Sequence, residues 1–294
     1  MPFAKSAVWS TTMRLVRRGV ERATLAASGT FHRSPAVAGF VVLALVMTGA
    51  VALIPAQRDT AIANGELPHS ASSPASTSRS TEDLASLGKL IFHDTPNQAR
   101  PYVGARLACS SCHLNDGTTP YAAPMTGIAP LFPEFSQRVK RMISLTDRIN
   151  ECFVRSENGR PLPENGKEMI ALVAYIESLS PHNGGSTEPT GRGLVKLPAL
   201  SGSPQRGATV YAAQCAACHG SEGTGVGSSF PPVWGSESFN DGAGMSKVEN
   251  MAAFVVRNMP PAKPGSLTPQ QAFDVSSYIH TKPRPKYNRK FDKY

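Results

Sequence analysis

Cys109-Ser-Ser-Cys112-His113 and Cys215-Ala-Ala-Cys218-His219 are the two stretches that decide how this chain folds. Each is a C-x-x-C-H pentapeptide, the attachment signal of a c-type haem. Two thiols separated by two residues at the start of a helix reach the two vinyl groups of one porphyrin. The histidine that follows then sits under the iron as proximal ligand. A thioredoxin-like redox pair or half a zinc site would need partner residues that the chain lacks. The expected cofactors are therefore two covalently bound haem c groups, held by Cys109, Cys112, Cys215 and Cys218 and ligated by His113 and His219. A porphyrin filling each interior also suits a chain with only 7% aromatic residues. Four of the five cysteines are accounted for, and Cys152 is left alone.

Outward from the motifs, the chain repeats itself. Gly88-Lys-Leu-Ile-Phe precedes the first and Gly207-Ala-Thr-Val-Tyr the second, but the first lies further from its cysteine, as if residues 94–106 were inserted. Amphipathic segments close both halves, residues 169–179 with Tyr175-Ile176 and residues 269–280 with Tyr278-Ile279. Helix, haem motif, ligand loop and closing helix, with no strand-like alternation, predict an all-α chain of two tandem class I cytochrome c domains. The expected boundaries are 81–182 and 204–281, joined by a Gly/Pro/Ser/Thr-rich linker at 183–203.

Residues 1–63 combine a basic start, an uncharged apolar run at 34–57 and a small-residue Ala61-Ile62-Ala63 site. That is an export signal, either cleaved or kept as an inner-membrane anchor helix. A disordered spacer at 64–80 follows. Both readings place the haem domains in the periplasm, soluble or anchored to the membrane. The net charge of +9 comes from the two ends, residues 1–63 and the tail 282–294, so it is no sign of nucleic-acid binding. The basic tail reads as a solvated, flexible end.

The sixth ligands separate the halves. In the second, Met259 lies in Arg257-Asn-Met-Pro-Pro, on the loop before the closing helix, and Met245 and Met251 read as packing residues. The matching register in the first half lands on Cys152, while Met125, Met142 and Met169 fit poorly. A thiolate donates electron density and lowers a haem's potential relative to methionine, so electrons should run from haem one to haem two. It is also a soft nucleophile towards sulfur. Of the basic residues around Cys152, Arg148 and Arg155 lie four before and three after it, and arginine forks suit oxyanions.

Residues 88–179 resemble the dihaem thiosulfate dehydrogenases, also called tetrathionate reductases. The resemblance is carried by Tyr102-Val-Gly, Leu107-Ala-Cys-Ser-Ser-Cys-His-Leu114, Arg148-Ile-Asn-Glu-Cys-Phe-Val-Arg-Ser156, Asn158-Gly159 and Glu168-Met169. It implies that two thiosulfates couple to tetrathionate, reversibly in some members, at a haem ligated by His113 and Cys152. It further implies a second haem ligated by His219 and Met259 that delivers electrons to a soluble or membrane acceptor such as a cytochrome. Arg138, Arg155 and Ser156 would hold the sulfur oxyanion. Some members carry a lysine beside the second methionine; here the position is Asn258. The rival reading is a dihaem electron carrier without its own activity. It would want methionine at both haems, and Cys152 speaks against it.

Overall fold

The computed structural model describes residues 74–180 and 189–294. The expected export or anchor segment and the spacer as far as residue 73 lie outside the described residues. Among the described residues, no helix is long and apolar enough to cross a membrane.

Helix α1 (Pro74–His93) opens the first half. Residues 74–80, expected as disordered spacer, are its first turns. Leu84, Leu87, Gly88, Ile91 and Phe92 recur at helical spacing, and Gly88, Ile91 and Phe92 are buried. This face crosses α5, the closing helix (Lys167–Ser178), where the two backbones meet at Gly88. A Cβ there would run into the main-chain oxygen of Ala171 and lie 2.7 Å from Tyr175 Cβ. Phe92 stacks on Tyr175 with ring centroids 5.3 Å apart.

Between these helices lie four smaller elements: α2 (Thr95–Gln98), α3 (Leu114–Gly117), a two-stranded hairpin of β1 (Glu134–Ser136) and β2 (Arg141–Ile143), and α4 (Leu145–Arg155). α4 starts at a capping box in which Ser144 and Asp147 each accept the other's amide.

The second half repeats the plan. α6 (Pro204–Gln214) runs into α7 (Ala216–His219), followed by α8 (Val248–Asn258) and the closing helix α9 (Pro269–His280). α6 and α9 cross at Gly207, where a Cβ would strike the main-chain oxygen of Asp274. Tyr211, four residues after Gly207 as Phe92 is after Gly88, packs on Trp234 and Tyr278. Asp274 ties the crossing together. It is buried and accepts from Arg206 at 2.7 Å, from the Ser203 amide at 2.7 Å and from Gln270 at 2.9 Å. Burial opposes its charge, but these donors outweigh burial and hold its carboxyl below the usual value.

The halves are stitched together. The inserted segment carries Ala105 and Leu107 into the second half's core, and Arg106 reaches the carbonyls of Thr224 and Gly227. Asn240 donates to Val154 O and Asn158 Oδ1. The described part of the linker is not loose. Its Gly191 and Gly193 carbonyls accept from the Tyr121 and Ala123 amides, beside a bridge between Ala122 and Leu194.

The basic tail also departs from expectation, because it is a packed strap. Gly235 and Asp241 amides donate to the Pro283 and Pro285 carbonyls. Lys286 pairs with Asp241 at 3.0 Å. From the first half, Arg141 and Arg155 donate to the main-chain oxygens of Lys293 and Tyr294. The aromatic residues explain it: Tyr294 is buried, and the Tyr287 ring lies 4.0 Å from the Arg155 guanidinium.

Candidate functional site

The first pentapeptide is positioned by the inserted segment. Thr95, fully buried, anchors its hydroxyl on the Ile91 carbonyl at 2.8 Å and accepts from the Cys109 amide at 3.2 Å. His113 Nδ1 donates to the Ala123 carbonyl at 2.6 Å. A carbonyl can only accept, so the proton is on Nδ1 and the Nε2 lone pair faces outward for a metal. Burial lowers the ring's pKa to about 4, which keeps it neutral.

Cys109, Cys112 and His113 line one cavity of about 290 Å³ together with Phe92, Leu172 and Ile176. Cys152 lines the same cavity, brought there by α4 and not by a loop as expected. Arg148 and Cys152 are spaced four apart on α4 and Ser156, its C-cap in helical conformation, follows four further on, so the three continue one face, and all three line the cavity. Met125 also lines it, with its amide on the Gly117 carbonyl a few residues after the pentapeptide. Met142 is exposed and Met169 is fully buried in the core, which removes both from the ligand position.

The electrostatics around Cys152 are balanced. Burial pushes its thiol up, Glu151 and Glu157 add to that, and Arg148 and Arg138 pull it back. Arg148 reaches Glu151 at 2.5 Å. Glu157, 3% exposed, is held well above the usual carboxylate range by burial.

Arg138 and Arg155 do not line this cavity. Both lie on the other flank of α4, where Arg138 Nε is 3.9 Å from Glu151 and Arg155 is 6% exposed. Sequence reasoning missed Arg192, whose ion pair with Glu134 at 2.5 Å lines the Cys152 cavity. Arg192 sits in the linker, where no periodic pattern marks it.

The second cavity, about 650 Å³, is lined by Cys215, Cys218 and His219. His219 Nδ1 donates to the Pro231 carbonyl at 2.8 Å, repeating the first site's geometry. Met259 follows α8 directly, its amide on the Val255 carbonyl, and lines this cavity with Met245 and Met251. Asn258 turns away, to the Tyr121 and Phe254 carbonyls. Leu107, Cys112, Phe239 and Met245 line both cavities and form the wall between them.

The donor sets fit haem c: two thiols, a histidine whose inner nitrogen is held by a main-chain carbonyl, and an apolar cavity with a sulfur residue on its wall. Among the described residues no group of His, Cys, Asp and Glu forms a further metal site.

The comparisons with known proteins agree. Residues 100–183 match the model of the SoxA/TsdA cytochrome c domain, and residues 202–279 match cytochrome c oxidase, cbb3-type, subunit III. The thiosulfate dehydrogenase of Stutzerimonas stutzeri is 37% identical over 209 residues, which is 69% of this chain and 68% of that protein. That of Allochromatium vinosum is 38% identical over 209 residues, 67% of this chain and 77% of that protein. The structure of the thiosulfate dehydrogenase TsdBA from Marichromatium purpuratum superposes with a TM-score of 0.66 at 36% identity. It covers 70% of this chain, which spans about half (47%) of that longer one. The chain belongs to the thiosulfate dehydrogenase family and is built from two cytochrome c domains.

Proposed function

We propose that this protein couples two thiosulfates to one tetrathionate, releasing two electrons, in the cavity shared by His113 and Cys152. The observation that carries the reading is the single face of α4 that presents Arg148, Cys152 and Ser156 to the cavity holding the first pentapeptide. Support comes from the relatives, which are named thiosulfate dehydrogenases.

His113 and Cys152 would hold one haem and His219 and Met259 the other, and the pair supplies one-electron acceptors for the two electrons released. Two dianions 4 Å apart repel by about 4 kcal/mol even in water, and by more in a drier site. Arg148, fixed by Glu151, offsets that repulsion beside the Cys152 sulfur. Ser156, one turn on, offers a hydroxyl to a sulfonate oxygen.

The wall of Leu107, Phe239 and Met245 keeps the two sites in direct packing contact, so electrons leave through the second domain to an external acceptor such as a cytochrome. The reaction belongs in the periplasm, with the chain soluble or anchored by its N-terminal segment. Purified holoprotein with thiosulfate should reduce ferricyanide and yield one tetrathionate per two thiosulfates. Absence of both, with both haems attached, would contradict the proposal.

A further inference from the structure

The two cavities are joined by a second route besides the wall between them. Asn258 is the last residue of α8, 5% exposed, and stands directly before Met259. Its side-chain amide donates to two main-chain oxygens, that of Phe254 in its own helix at 3.0 Å and that of Tyr121 in the first domain at 3.3 Å. Arg257, one residue earlier, places its guanidinium 5.9 Å from the centre of the Tyr121 ring. Two residues after Tyr121 comes Ala123, whose carbonyl accepts from His113 Nδ1 at 2.6 Å. Contacts thus run from the Met259 segment, through Asn258 and Tyr121, to the acceptor that orients His113.

The turn that carries these contacts does not hold itself. Tyr121 and Ala123 both lie in the left-handed region, at φ 63° and 47°. Residues with a Cβ adopt that region at a cost, so their surroundings must keep them there. On the amide side the linker does this: the Gly191 and Gly193 carbonyls accept from the Tyr121 and Ala123 amides at 2.7 and 2.8 Å. Asn258 supplies the contact on the carbonyl side. An amide suits the place, because its NH2 group has a donor for each of two carbonyls. Asn258 lines neither haem cavity, so it acts on both sites through their neighbours.

We infer that Asn258 is a positioning residue that couples the two haem sites: from beside Met259 it pins the turn whose Ala123 carbonyl holds His113. The inference rests on the proposed ligand roles of His113 and Met259. A main-chain oxygen on Nδ1 raises the basicity of a ligating histidine, and a more basic ligand lowers the potential of the haem it serves. Loosening the turn therefore raises the potential of the His113 haem. The coupling is reciprocal, so a shift of the Met259 segment reaches His113 and a shift at His113 reaches Met259.

The test is a spectroelectrochemical titration of holoprotein carrying both haems, which yields two midpoint potentials without any thiosulfate. Asn258→Leu keeps the volume and adds no charge but removes both hydrogen bonds. It should move both midpoints, each by about threefold or more in its reduction equilibrium, which for one electron is about 28 mV. A residue that merely supports Met259 would move one. Asn258→Ser separates the two bonds. Its hydroxyl can still reach the Phe254 carbonyl four residues back, as serine does within helices, but is too short for Tyr121. It should still raise one midpoint and leave the other at the wild-type value. A single shifted midpoint in Asn258→Leu, or two wild-type midpoints in Asn258→Ser, overturns the coupling. A protein that shows these shifts yet fails to oxidise thiosulfate would overturn the proposed function and leave the coupling standing.

Discussion

At the scale of single residues, chemistry is decided by which side of α4 a side chain occupies. Arg148 and Arg155 look equivalent in sequence, flanking Cys152 by four and three. The helix separates them: Arg148 enters the Cys152 cavity and Arg155 faces the strap. Arg148→Gln should therefore lower kcat/KM for thiosulfate by about 30- to 100-fold, the loss of one charged contact to a dianion, in a steady-state ferricyanide assay. Asp274 is a purely structural residue and gives a pH prediction. Its carboxyl is held below the usual aspartate range, so its stabilising contribution is present above that range and lost as pH falls through the lowered folded value. Asp274→Asn should cost about 1–3 kcal/mol at pH 7 by denaturant unfolding, and the gap to wild type should close below about pH 4. The structure brings the pentapeptide cysteines, both histidines, Cys152 and Met259 to the walls of two cavities, a grouping that spacing along the chain already suggests. Arg192 was not legible, because a ligand-lining residue in an irregular segment leaves no periodic trace.

At the scale of elements, the paired helix crossings carry the fold. Gly88 and Gly207 let α1 meet α5 and α6 meet α9 at backbone contact, and each glycine is followed four residues later by an aromatic ring on the partner's tyrosine. Gly88→Ala and Gly207→Ala should each cost about 1–3 kcal/mol through overpacking, read as a lower denaturant midpoint of the ferric holoprotein. These crossings were legible as repeated Gly-x-x-x-aromatic segments with amphipathic closing helices. The setting of Cys152 was legible only in part. Its distance from His113 nearly equals that of Met259 from His219, yet Cys152 lies within a helix while Met259 follows one. A count along the chain fixes how far apart two residues are, not which backbone joins them.

At the scale of the whole molecule, two tandem domains behave as one described unit because three irregular segments bind them. Ala105 and Leu107 enter the second core, the Gly191–Gly193 stretch lines the His113 loop, and the strap returns to Arg141 and Arg155. None of these carries helical periodicity, and the strap's charge hid the signal of its aromatics, Tyr287, Phe291 and Tyr294. Tyr287→Ala should remove the ring that covers Arg155 and lower stability by about 1–3 kcal/mol. Limited proteolysis should then cut the strap first, while haem attachment persists.

The central claim is that Cys152 makes the first haem site the place of reaction. The most direct measurement is thiosulfate oxidation by Cys152→Gly holoprotein carrying both haems, with its visible spectrum recorded beside wild type. The expected result is loss of thiosulfate oxidation and a changed spectrum for one haem only. Wild-type turnover in that variant would contradict it.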